Sequence, residues 1–191
     1  MNGIAVAGLS QNNQSESDIQ KLLKGEILLE TKPYSAWGGA VTARMYLPLE
    51  RSQVWQQVTD YSRWVQYFPA LSRSEVLHRG DGQSKGAKRL YQVASKAFLM
   101  FTAQVEIYLK VFESIHQKTG HQIQFSLERG SFTDFSANLN LQDFKTGTLL
   151  TYSVQATPTV LVPSLLIQEA MRLDLPSNLQ KMRQVLCGYF R

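Results

Sequence analysis

The stretch AQVEIYLKV, residues 103–111, alternates without a break. Ala103, Val105, Ile107, Leu109 and Val111 fall on one side of an extended chain. Gln104, Glu106, Tyr108 and Lys110 fall on the other. A period of two residues marks a strand with one buried and one wet face. Such a strand belongs in an antiparallel sheet, because strands buried on both faces read as unbroken apolar runs.

The pattern repeats outward in both directions. Upstream, Ala87 to Ser95 and Ser74 to Arg79 predict strands, the earlier one ending at the turn signal Gly80-Asp81-Gly82. Downstream, after Gly120, Ile123, Phe125 and Leu127 alternate with Gln124, Ser126 and Glu128. Phe135, Ala137, Leu139 and Leu141 then alternate with Ser136, Asn138 and Asn140. After Thr146-Gly147, Leu150, Tyr152, Val154 and Ala156 alternate with Thr151, Ser153 and Gln155. Short turns between such runs predict a continuous meander. Near the start, Ile27 and Leu29 begin an extended segment that Val41, Ala43, Met45 and Leu47 continue. Pro33 and Gly38-Gly39 between them suggest a bulge or bend within one first strand.

Two regions switch to helical spacing. After Pro48, the residues Val54, Trp55, Val58 and Tyr61 lead into Trp64, Val65, Tyr67 and Phe68, which Pro69 stops. This predicts a short helix pair directly after the first strand. At the other end, Pro163 suits a helix start. Leu166, Ala170 and Leu173 form an apolar row, and Pro176 should kink or split the helix. Leu175, Leu179, Met182, Leu186 and Tyr189 continue the stripe. The economical packing is an α+β domain, a curved antiparallel sheet of about seven strands wrapped around a long C-terminal helix. Residues 25–191 are assigned to it. Residues 1–24 read as an N-terminal tail, with a short helix from Asp18 to Lys24 capped by Ser17.

Composition narrows the function classes. The 191 residues are 43% hydrophobic and 18% charged, which excludes wholesale disorder. The lone Cys187 excludes an internal disulfide framework. No apolar run approaches the ~20 residues that span a bilayer. The start, Met1 to Leu9, lacks a basic segment and is a poor secretory signal. The net charge of +5 comes from basic residues scattered along the chain, not from one stripe, so no nucleic-acid partner is expected. A cytoplasmic protein, with peripheral membrane contact as its minority option, fits this balance.

No catalytic, metal or cofactor constellation stands out. His78, His116 and His121 lack ligand spacing, and no Gly-x-Ser-x-Gly elbow occurs. Cys187 reads as a packing or surface thiol. Gly80, Gly82 and Gly86 fit a hairpin turn, not a phosphate loop.

The stretch VWQQVTDYSRWVQYFP, residues 54–69, resembles the helix pair of the START-like, or SRPBCC, superfamily, in particular its polyketide cyclase/dehydrase and coenzyme Q-binding group. Residues 125–132, FSLERGSF, are similar to that family's central strand-turn-strand. The C-terminal stretch RLDLPSNL, residues 172–179, is similar to its closing helix. The resemblance implies the helix-grip fold, with a deep, largely apolar cavity between sheet and long helix. Members bind lipids, sterols, quinones or polyketides, and some are aromatases or cyclases.

Half a barrel around one helix encloses more volume than one stripe of Leu and Met fills, so a ligand cavity is expected on the converging apolar faces. Its candidate lining is Met45, Phe68, Ile107, Phe125, Phe135, Leu139, Tyr152, Val154, Met171, Leu175 and Met182. Arg89 and Tyr91, with Arg44 and Ser95, are candidates for its polar groups, with a solvated outward role as the equal alternative. The segment AFLMF, residues 97–101, breaks the alternation behind Lys85, Lys88, Arg89 and Lys96. It fits either a hairpin buried on the core or an apolar tip, Phe98, Leu99, Met100 and Phe101, that touches a membrane or partner. The expectation is a non-catalytic binder or carrier of a hydrophobic small molecule, lipid, quinone or polyketide-like. The alternatives are a cyclase or aromatase using the same cavity, and an interaction module with a vestigial one.

Overall fold

The computed structural model describes residues 16–79, 86–98, 101–117, 120–160 and 164–188. The first element of the described residues is helix α1 (residues 16–23), followed by β1 (Leu28–Ser35) and β2 (Gly38–Leu47). Then come α2 (Arg51–Val58), a 3-10 turn (Tyr61–Arg63) and α3 (Trp64–Tyr67). Six strands follow: β3 (Leu71–Arg79), β4 (Lys88–Phe98), β5 (Phe101–His116), β6 (Gly120–Gly130), β7 (Phe132–Phe144) and β8 (Gly147–Pro158). The long helix α4 (Ser164–Leu186) closes the fold.

All eight strands form one antiparallel sheet in the order β1-β2-β8-β7-β6-β5-β4-β3. Strands β3 to β8 are the expected meander. The extra strand comes from the N-terminal extended segment, which is a hairpin rather than one bent strand. Ser35 pairs with Gly38 across a two-residue turn, and a register shift lies between Pro33 and Ser35. Gly38 is required there: a Cβ would meet Thr157 Oγ1 at 2.4 Å and the Ala156 carbonyl oxygen at 2.8 Å. The helix pair therefore follows the second strand, not the first.

The register fixes which face is concave. Val41 opposes Val154, Ala43 opposes Tyr152, and Met45 opposes Leu150. Leu139 opposes Tyr152 on the other side, and Ile123 opposes Leu139. These residues belong to one core with Leu175, Leu179, Met182 and Leu186 of α4 and with Val54, Val58, Tyr61, Trp64 and Tyr67 of the helix pair. Helix α4 lies across β1 and β2 and against α3.

Two expectations for α4 need correction. Leu166 and Leu173 are 61% and 64% exposed, so their row does not face the core. The stripe that does is Ile167, Met171, Leu175, Leu179, Met182 and Leu186. Counting back by fours from Leu179 gives this phase, because i and i+4 share a helix face. Pro176 sits inside a single helix instead of splitting it. Its missing N–H orphans the carbonyl of Arg172, an exposed residue whose backbone water can satisfy. Pro163 and Tyr189 lie outside the described residues.

At the other terminus, helix α1 already includes Glu16 and Ser17, so Ser17 is not its cap. Glu16 accepts a 3.4 Å hydrogen bond from Gln20 one turn on. The helix ends on Gly25 at φ +90°, with Glu26 N–H donating to the Lys21 carbonyl. Leu22 is buried, Asp18 pairs with Arg44 at 3.5 Å, and Arg183 of α4 donates to the Gly25 carbonyl at 2.8 Å.

Candidate functional site

The concave face is not uniformly packed. At one end Leu47, Val111, Ile123, Leu141 and Leu150 are completely buried under α2 and the last turns of α4. Four residues along the same face of each strand, burial relaxes. On β6 the sequence is Ile123 and Phe125 buried, then Leu127 partly exposed. On β7, Leu141, Leu139 and Ala137 are buried and Phe135 is partly exposed. On β8, Leu150 and Tyr152 are buried and Val154 is partly exposed. On α4, Leu179 is at 0% exposure and Met171 partly exposed, with Ile167 one turn further on buried again. The concave face is thus most loosely packed around Leu127, Phe135, Val154 and Met171, while Val41, Ala156 and Ile167 nearer the β1–β2 turn are buried again.

Aromatic rings floor this looser half. Trp64 of α3 stacks on Phe68 at 5.5 Å and meets Phe125 edge-on at 5.1 Å. Tyr152 stands 6.4 Å from Trp64 and 6.2 Å from Phe68, between centroids. Phe132 and Phe135 contact each other at 5.5 Å nearer the rim. Such contacts combine large apolar area with fixed geometry. Trp55 of α2, also packed against the core, meets His121 edge-on at 5.0 Å.

Polar groups cluster under the helix pair. The Tyr61 hydroxyl donates to Glu113 Oε1 at 2.6 Å, and Lys88 donates to the same oxygen at 2.5 Å. Burial, then the adjoining carboxylate, push the Tyr61 phenol far above the tyrosine range. Gln92, buried on β4, donates to Ser74 Oγ at 3.1 Å, and Ser74 donates to the Tyr61 carbonyl at 2.6 Å. These groups satisfy one another and hold the 3-10 turn to β3, β4 and β5.

Of the candidate lining, Met45, Phe68, Ile107, Phe125, Phe135, Leu139, Tyr152, Val154, Met171, Leu175 and Met182 lie in the core or packed against it. Met45, Leu139 and Met182 sit deep, whereas Phe68, Phe135, Val154 and Met171 border the looser half. The polar candidates Arg89, Tyr91, Arg44 and Ser95 are on the wrong face. In β4 it is Leu90, Gln92 and Ala94 that point inward, opposite Leu109, Ile107 and Val105. Arg89 forms a two-pronged pair with Glu128 on the convex side, at 2.8 and 2.7 Å. Tyr91 packs on Tyr108 at 4.6 Å, with Arg73 over its ring. Arg44 reaches Asp18.

The inward phase of β4, read from Leu90, would have found Gln92. The partly exposed Leu127 and Phe132 were legible as apolar but gave no signal of where the face opens. For residues 97–101, Phe98 and Phe101 pair across the β4–β5 hairpin. Their side chains, with residues 99 and 100, lie outside the described residues, as does the turn at 80–85. Among the described residues no helix is long and apolar enough to cross a membrane.

Solved structures share this fold at low sequence identity. A STAR-related lipid transfer protein from Xanthomonas axonopodis superposes with a TM-score of 0.61 at 14% identity, covering 83% of this chain and 98% of that one. Human STARD10 superposes at 0.65 with 10% identity, covering 84% and 74%. A Streptomyces aromatase/cyclase superposes at 0.57 with 12% identity, covering 80% and 93%. A search of curated protein sequences gave no match. The sequence model for polyketide cyclase / dehydrase and lipid transport matches residues 47–183, from the end of β2 through most of α4. The chain therefore belongs to the polyketide cyclase/dehydrase and lipid transport family, within the START-like superfamily.

Proposed function

We propose that the chain binds and carries a hydrophobic small molecule, lipid, quinone or polyketide-like, in the looser half of its concave face, without transforming it. The observation that carries this is the patch of partly exposed apolar residues on the concave faces of β6, β7, β8 and α4. Inward-pointing Leu127, Phe135, Val154 and Met171 are only partly buried, although they pack against the core. Apolar area left exposed in this way is what a ligand would cover, at roughly 25 cal/mol per Å². A cyclase or aromatase needs ionisable groups converging on the ligand. Here the inward-facing Lys88 and Glu113 neutralise each other at 2.5 Å beside Tyr61, which favours carriage.

The rim supports loading from a lipid surface. The Ser164 N–H donates to the Ala36 carbonyl, so α4 starts on the β1–β2 turn. Trp37 in that turn, and Val160, Leu165 and Leu166 beside it, are exposed. Peripheral contact of this end with a membrane would shield them during transfer. Native mass spectrometry of the purified protein is expected to show a co-purified or exchangeable apolar ligand. Failure to take up any such compound from vesicles, with the fold intact, would count against the reading.

A further inference from the structure

Buried aromatic side chains with polar heads normally give those heads a partner. Five occur among the described residues: Tyr46, Tyr61, Trp64, Tyr67 and Tyr152. Four comply. Tyr46 meets Thr146 at 3.2 Å, Tyr61 donates to Glu113, Trp64 Nε1 donates to the Val58 carbonyl at 2.9 Å, and Tyr67 donates to the Gln57 carbonyl at 3.1 Å. Tyr152 does not. It is 8% exposed, and no described residue hydrogen-bonds its hydroxyl.

The fully enclosed polar atoms left without a partner are His121 Nδ1 and Arg183 Nε. The Tyr152 oxygen is not among them, and the residue keeps 8% exposure. Its strand phase points it into the concave face, between Ala43 and Leu139 and beside Trp64 and Phe68. Desolvation alone raises this phenol above the tyrosine range, which keeps it a neutral donor at physiological pH.

Resting on the binding function proposed above, we infer that the Tyr152 hydroxyl is the polar anchor of the bound molecule, donating to a neutral carbonyl or hydroxyl oxygen on an otherwise apolar skeleton. Neutrality follows from the surroundings. Among the described residues, the inward-facing cation of the sheet, Lys88, is already engaged by Glu113. A carboxylate at the phenol would therefore be desolvated without a countercharge, at a cost exceeding one hydrogen bond.

The test uses a matched fluorescent pair, 6-propionyl-2-(dimethylamino)naphthalene and the same naphthalene bearing propyl in place of propionyl. Wild type is expected to bind both. Tyr152→Phe is expected to weaken the ketone by about three- to tenfold, one net hydrogen bond, and to leave the hydrocarbon unchanged. The infrared carbonyl stretch of the bound ketone should lie lower in wild type than in the variant. Without ligand, Tyr152→Phe should melt no lower than wild type, because it removes an unpaired polar group. The corresponding naphthoate should not compete. Equal effects on both probes, no effect on either, a lower melting point for the free variant, or naphthoate binding as tight as the ketone would each overturn the anchor while leaving the cavity intact. Binding of neither probe to wild type would overturn the binding function as well.

Discussion

The graded packing of the concave face predicts a position-dependent cost for one chemical change. Leu150 on β8 is completely buried at the closed end, and Leu127 on β6 is partly exposed on the same face in the looser half. Leu150→Ala loses the transfer energy of the removed carbons and leaves a cavity that close-packed neighbours cannot fill. Together these cost about 3–5 kcal/mol. Leu127→Ala loses only the buried part of its side chain, about 1.5–2 kcal/mol at roughly 0.8 kcal/mol per carbon. It adds no new cavity, because the space beside it is already open. With an m-value of about 2 kcal/mol/M, urea midpoints should fall by about 1.5–2.5 M for Leu150→Ala and about 0.8–1 M for Leu127→Ala. The assay is equilibrium urea unfolding of the ligand-free protein, with m unchanged between variants. Equal losses at the two positions would mean that the concave face is packed from end to end. The proposed ligand space would then not exist.

Filling should cost less at a partly exposed inward position than at a fully buried one. Val154→Trp is expected to change stability by less than about 1 kcal/mol yet abolish uptake of an apolar probe, whereas Ala43→Phe, at a fully buried site, should destabilise by about 1–3 kcal/mol; paired melting and probe-binding curves decide. Tyr61 is held neutral by burial and by Glu113, so its pKa is raised on folding. Its contribution is full below the ordinary tyrosine range and fades as pH climbs above about 10, where the unfolded chain ionises. Chemical denaturation at pH 9 and 11 should show wild type losing stability more steeply than Tyr61→Phe, and parallel losses would refute this. Replacing Trp37 and Leu165 together by Ser should reduce co-sedimentation with anionic vesicles without moving the melting temperature; unchanged sedimentation would remove the rim from the transfer mechanism.

The sheet was largely legible because its strands alternate strictly. Residues 103–111 fix their own inward set, and Ile107 and Leu109 are indeed buried. Legibility failed where phase had to be chosen without such alternation. In β4, KRLYQVAS mixes Tyr and Arg with aliphatics. Reading Arg89 and Tyr91 as inward required ignoring that Leu90 and Ala94 share the other parity. In α4, the apolar residues outnumber one stripe, so Leu166 and Leu173 competed with Ile167 and Met171. Only contact with β2 and the Gly39 backbone selects the second set: a Cβ at Gly39 would lie 3.2–3.3 Å from Gln168, Met171 and Ile167. The N-terminal hairpin was hidden because its turn, Ala36-Trp37, carries no turn residue of its own. The signal sits one step later, in Gly38.

The looser half follows from a mismatch of widths. An eight-stranded sheet presents a concave face far broader than the single stripe, about one residue per turn, that α4 offers. At one end the deficit is filled by the helix pair. Val54, Val58, Trp64 and Tyr67 enter the core there, and the Tyr61–Glu113–Lys88 cluster binds the 3-10 turn between them to β4 and β5. These helices are too short to reach the other end. Eight residues of α2 extend only about 12 Å, whereas the twelve residues of β8 extend about 40 Å. The helix pair therefore plugs one end of the trough, and α4 alone covers the sheet beyond it. Tyr152 stands at that boundary, with its ring against the plug residues Trp64 and Phe68 and its hydroxyl unpartnered among the described residues. A molecule lying in the trough would meet apolar walls along its length and one hydrogen-bond donor at its inner end.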